Sequence, residues 1–153
     1  GWKVLNVQAG PGVDYVGDCT DLSRFADGSV EELSASYALE RVEIPRLKDT
    51  LAGFHRVLKA GSALRISVPD FAKLCALFID PRYNAEQRFE IMTLVFGSQA
   101  DGHDVRHIGF DFELLRDFLQ EAGFSRVARV EELGPHEEMS KLRFAGMKVG
   151  QLD

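Results

Sequence analysis

Hydrophobic positions along the chain follow two rhythms. Short apolar runs, of the kind buried in parallel sheets, alternate with longer stretches of helical spacing. Val4-Leu5-Asn6-Val7 ends in Gln8-Ala9-Gly10-Pro11-Gly12 and reads as a strand followed by a tight turn. Tyr15-Val16-Gly17 leads into Asp18 as a second short strand, and Leu33-Ser34-Ala35-Ser36 is a third. Ile44, Leu47, Leu51, Phe54 and Leu58 are spaced 3, 4, 3 and 4, which predicts one continuous helical face. Pro45 suits the first turn of that helix, and Gly61 is its expected left-handed cap. Ala63 to Val68 then reads as an aliphatic strand stopped by Pro69-Asp70.

Two more helical faces follow, one of Phe71, Leu74, Cys75 and Phe78, the other of Phe89, Met92 and Phe96. The simplest reading of these phenylalanines is core; Phe71, Phe78 and Phe96 are also candidates for a homodimer face or a substrate lid. Asp111 can cap a helix running through Ala122, with Leu114, Leu115, Phe118 and Leu119 inward and Gly123 just past its end. Val127 to Val130 and Met147 to Leu152 are strand candidates. Strands alternating with helices predict an α/β fold, a doubly wound, mostly parallel Rossmann-like sheet with helices on both faces. Ligands in such sheets sit outside the carboxyl ends of the strands. The tips to watch are Ala9 to Gly12, Asp18, Ser36-Tyr37 and Pro69-Asp70.

The length, 153 residues, predicts a single domain over 1–153. A net charge of −6 disfavours phosphate backbones, so no nucleic-acid partner is expected. No apolar run approaches the roughly 20 residues a bilayer needs, and no basic segment precedes an apolar one as in a secretory leader. Cys19 and Cys75 form no CxxC pair and no zinc spacing. Together these predict a cytoplasmic protein with reduced thiols, no metal site and no membrane contact.

Several segments carry a resemblance. Leu5-Asn6-Val7-Gln8-Ala9-Gly10 is similar to the first glycine-rich motif of class I S-adenosylmethionine-dependent methyltransferases. Phe25 to Glu40 resembles their fourth strand and its approach, and Arg56 to Asp70 the helix, turn and strand that follow. His107 to Phe110, then Leu114 to Phe124, resembles the later part of small bacterial members. The resemblance implies S-adenosylmethionine as cofactor, its methionyl end near Ala9, Gly10 and Gly12 and its ribose hydroxyls on Asp18. It places Leu22 against the adenine and Ser36 and Tyr37 at the methyl-transfer mouth. His107 is a candidate general base, since histidine titrates near neutral pH; a structural role is the alternative.

The departures are specific. Gln8 stands where the family usually has glycine, and Leu39-Glu40-Arg41 where it often has Leu-Glu-His. Only seven residues, Gln8 to Asp14, separate the first two strands, too few for the crossover helix that such strands normally need. Gly10-Pro11-Gly12 is not G-x-G-x-x-G, which disfavours a dinucleotide site. Gly10 and Gly12 make a plain turn or a cofactor contact, Asp18 is a ribose acid or a loop acid, and Asp70 is a helix cap or a catalyst. Two readings of the whole stay open: a methyltransferase acting on a small-molecule or sugar-like acceptor, and a non-catalytic relative kept as a binding or oligomerisation module.

Overall fold

The computed structural model describes residues 1–130 and, as backbone, 146–152. Two short parallel strands open the chain, β1 (Leu5–Asn6) and β2 (Tyr15–Val16), paired Leu5 to Tyr15 and Asn6 to Val16. No helix lies between them. The loop returns because Val4 O accepts the amides of Asp14 and Tyr15, both at 2.9 Å, and the Asp14 carboxylate holds the Val4 amide at 2.8 Å.

A second sheet has the order β3-β4-β6-β5, from β3 (Val30–Ser36), β4 (Leu58–Pro69), β5 (Val127–Arg129) and β6 (Gly146–Leu152). β3 runs parallel to β4, and β6 is antiparallel to both β4 and β5. Three of its strands therefore share one direction and β6 opposes them. β4 has a neighbour on each side, and Leu64, Ile66, Ser67, Val68 and Pro69 are buried in near succession, the signature of a strand covered on both faces.

α1 (Leu47–Val57) buries Leu47, Thr50, Leu51, Phe54 and Val57, so the predicted face is real over its middle. Its ends differ from the expectation. Ile44 and Pro45 belong to a separate 3-10 turn, where Ile44 is 68% exposed, and Leu58 is already extended in β4. Gly61 is therefore not a helix cap. It sits at φ +79° in a bulge where residues 59–62 of β4 face only Glu31 of β3, with Lys59 and Glu31 paired at 2.8 Å across it. α4 (Phe112–Glu121) starts where predicted, with Asp111 accepting from the Leu114 amide at 2.8 Å. Leu115 and Leu119 point inward, Leu114 is exposed, and Gly123 follows the end at φ +101°. α1 and α4 meet through Lys48–Glu121 at 2.6 Å, the His55 ring of α1 meets that of Phe124 just past α4 at 5.1 Å, and both helices feed the main core.

α2 (Phe71–Phe78) and α3 (Ala85–Phe96) pack on each other around Leu74 and Ile91 in a second, smaller cluster. Here the core expectation fails: Phe71, Phe78, Phe89 and Phe96 are all exposed, Phe89 by 64%. α3 carries apolar residues on both sides, and Ile91 with partly buried Leu94 and Val95 takes the inner one.

Candidate functional site

The parallel register sets the carboxyl ends of β1 and β2 side by side, so the Gln8–Gly12 loop and Asp18 share one edge. Gly12 adopts φ +80°, and Val13 N closes the turn on Gly10 O at 3.2 Å. A side-chain carbon on Gly10 or Gly12 would meet nothing within 4 Å, so the loop lies open. Gln8 is exposed; its amide is taken by the Asn6 side chain, whereas the amides of Ala9, Gly10 and Gly12 donate no hydrogen bond within the described residues. Asp18 is exposed and uses one oxygen to accept from the Thr20 amide at 2.9 Å. Leu22 is only 8% exposed and belongs to the main core, so its side chain already has protein neighbours.

At the next edge, Ser36 pairs in register with Ser67, and the Tyr37 amide donates to Ser67 O at 2.8 Å. Tyr37 is held at φ +49°, a left-handed conformation that costs a non-glycine residue about 1 kcal/mol. The strand thus ends in a forced turn, and the chain drops into a 3-10 turn at Leu39–Arg41. Leu39 and Val42 enter the core. Glu40 goes inside with them. It is 1% exposed, and neither carboxyl oxygen has a hydrogen-bond partner. Burial pushes its pKa up to about 7, against the pull of its own backbone amide first and then of the Arg106 and Arg41 guanidinium groups. Two more buried groups nearby lack partners, Ser67 Oγ and Arg106 Nε.

A strap from Gly97 to Ile108 covers this acid. The Glu40 carbonyl accepts from His107 N at 2.7 Å and Ile108 N at 3.2 Å. Arg41 donates to His103 O at 3.2 Å and pairs with Asp104 at 3.4 Å. Asp104 in turn holds the amide and hydroxyl of Ser98, which keep its carboxyl below the usual range. Arg106 reaches back to Leu94 O. Cys19, just after Asp18, completes the neighbourhood: burial first, then the charges of Asp18 and Glu40, push its thiol up to about 12.

Of the residues singled out in the sequence, Ala9, Gly10, Gly12 and Asp18 lie at the carboxyl end of the β1–β2 pair, and Ser36 and Tyr37 at the carboxyl end of β3 in the other sheet. His107 is exposed and is placed there through its amide. Asp70 accepts from the Lys73 amide at 3.1 Å and pairs with Arg129 at 3.4 Å, which makes it a helix cap. Sequence reasoning missed Glu40, Ser67 and Arg106. Among the described residues no cluster of potential metal ligands forms, and no helix is long and apolar enough to cross a membrane.

No family model matches the chain, and no curated protein does. Solved structures do. A methyltransferase dependent on S-adenosylmethionine (SAM) from Archaeoglobus fulgidus aligns over 97% of this chain and 74% of its own, at 14% identity and TM-score 0.61. One from Mesorhizobium loti aligns over 96% and 72%, at 18% identity and TM-score 0.58. One from Thermotoga maritima aligns over 92% and 64%, at 18% identity and TM-score 0.55, so this chain spans less than two thirds of that protein. The likeness shows the fold: this is the class I SAM-dependent methyltransferase fold, with its first crossover reduced to a loop.

Proposed function

We propose that this methyltransferase fold serves methyl transfer from S-adenosylmethionine to a small-molecule or sugar-like acceptor, at the carboxyl edge of β1, β2 and β3. The observation that carries the reading is an open glycine turn and an exposed acid side by side at the carboxyl end of the β1–β2 pair, with a forced strand end at the carboxyl end of β3. The residues present suit such a cofactor. The unengaged amides of Ala9, Gly10 and Gly12 can take a carboxylate, as exposed amides in tight turns do. The exposed carboxylate of Asp18 can accept from ribose hydroxyls. Ser36 and Tyr37 border the mouth, and Leu22 backs it from the core. The cofactor supplies a methyl group on a positively charged sulfur, open to in-line displacement. The chain's own contribution is to orient the two partners and exclude water. His107, exposed on the strap, is the group placed to remove a proton from a hydroxyl or amine acceptor. The exposed Phe71, Phe78 and Phe96 offer a face to a second copy of the chain.

Calorimetric titration with S-adenosylmethionine and S-adenosylhomocysteine tests this. Micromolar binding, lost in Asp18→Ala and tightened in Gln8→Gly, is the expected result. No heat and no stabilisation at millimolar ligand would instead support a non-catalytic module. Gln8 at the glycine position and the two-residue lengths of β1 and β2 favour that second reading.

A further inference from the structure

Phe71, Phe78, Phe89 and Phe96 are 40–64% exposed, four large apolar rings left outside the core by one pair of helices. α2 and α3 turn Leu74 and Ile91 toward each other, with Leu77, Leu94 and Val95 partly buried beside them. At 100° per residue, Phe71, Cys75 and Phe78 stand about a quarter turn round α2 from that inner side. Phe89, Met92 and Phe96 stand about a third of a turn round α3, in the same sense. The two helices run opposite ways: the first residue of α2 and the last of α3 are both tied to the strap and its end, Phe71 N to Phe110 O at 2.9 Å and Arg106 N to Phe96 O at 3.0 Å. Rotations of one sense about oppositely directed helices carry both stripes to the same side of the hairpin. Ile79, 79% exposed, falls on the outer side of α2, off this face.

We propose that this aromatic side of the α2–α3 hairpin is a self-association surface, on which a second copy of the chain seats its own hairpin. The inference takes further the second-copy face named above and needs no cofactor. The four rings together expose about the surface of two whole phenylalanines, roughly 400 Å². Two such faces pressed together, with Cys75 and Met92 between the rings, bury on the order of 1,000 Å² in all, the lower bound for a specific interface. A reversible dimer is the assembly that this area supports. Charge selects the occupant. No stripe position is charged, so the face suits a partner as apolar as itself. Residues 71–96 carry three basic and three acidic side chains, so two hairpins meet without the repulsion that a net charge of −6 imposes on whole chains. The same neutrality withholds the basic face that keeps an interfacial helix on an anionic membrane. The face is also held firmly. The Phe71 ring lies on Gly109, where an added side-chain carbon would stand 2.5 Å from it. A copy seated on Phe71 and Phe96 therefore borders the strap that carries His107.

The test is sedimentation velocity of the whole chain, without cofactor, from micromolar to several hundred micromolar concentration. The expected result is a monomer–dimer equilibrium within that range. Phe89→Glu puts a charge in the middle of the face at a site already open to water, and should weaken the dimer about tenfold or more. Ile79→Glu, on the outer side, should leave it unchanged. A second readout needs no variant. The exposed Cys75 thiol should react with a maleimide more slowly as the dimer forms, while Cys19, its thiol pushed up to about 12 by burial, stays slow throughout. A chain that stays monomeric at every concentration would overturn the inference, as would a dimer indifferent to Phe89→Glu or one that leaves Cys75 equally reactive. A monomer that co-sediments with phosphatidylcholine vesicles would assign the face to a lipid surface and overturn it too. Because no cofactor enters these measurements, each of those failures leaves the methyl-transfer reading to its own titration.

Discussion

Replacing Glu40 by glutamine keeps the shape of the side chain and removes its ionisation. The carboxyl is displaced from an ordinary 4.5 to about 7 by burial. At 1.36 kcal/mol per pH unit, that displacement is worth about 3 kcal/mol. Its sign follows from which state holds the proton. Below pH 4.5 folded and unfolded chains both carry it, and the native state has no penalty from this group. Between 4.5 and about 7 the unfolded chain loses the proton and the folded chain keeps it. Stability therefore falls as pH rises through this window, and above pH 7 the whole amount is lost. Asp104, with its carboxyl held low, acts in the opposite sense, but only below its ordinary 3.8. The two windows do not overlap.

Thermal unfolding of the native chain and Glu40→Gln at pH 5 and pH 8 reads this directly. The variant should match the native chain within about 1 kcal/mol at pH 5, since glutamine stands in for the protonated acid. At pH 8 it should be more stable by up to about 3 kcal/mol, which for a domain of this size is roughly 6–12 °C in Tm. Rotation of an ionised Glu40 toward Arg106 Nε, itself buried without a partner, would reduce the gain but not reverse it. Parallel pH profiles for the two proteins would refute the reasoning. They would mean that Glu40 is ionised and paired at neutral pH.

Two further substitutions examine what holds the edge together. A methyl group on Gly97 would stand 2.1 Å from Asp104 O, at φ +84° where any side chain is strained. Gly97→Ala should therefore loosen the strap by about 2 kcal/mol, raising hydrogen exchange at the Gln99, Arg106 and His107 amides; unchanged exchange there would remove the strap from the account. Arg56 on α1 donates to Leu22 O and Phe25 O, both at 2.9 Å, and pairs with Asp27 at 2.6 Å, tying the segment after Asp18 to the core. Arg56→Ala should cost about 2 kcal/mol in denaturant unfolding, and a loss below about 0.5 kcal/mol would mean that Leu22 and Phe25 hold the segment by packing alone.

What could be read in the sequence and what could not divides by how local the deciding force is. Asp111 and Asp70 were legible as caps because a cap needs only its own side chain and an amide three residues on. Leu47, Leu51 and Phe54 were legible because one core fixes their period, whereas Ile44 and Leu58 shared that period and fell outside the helix. Spacing cannot sense that Pro45 begins a separate turn, or that Leu58 joins a strand beside Val30. Phe89 and Phe96 failed for a related reason. α3 is apolar on both sides, and only the arrival of α2 decides that Ile91 goes inward. Glu40 is the extreme case. Within its turn it is one of two charged residues, with Arg41, between Leu39 and Val42, with no periodicity to mark it. Its burial depends on residues 103–108, more than sixty positions later, and on Cys19 twenty positions earlier. A group whose placement is that non-local, and whose ionisation weakens the fold at neutral pH, is one that packing alone would have replaced by an apolar side chain.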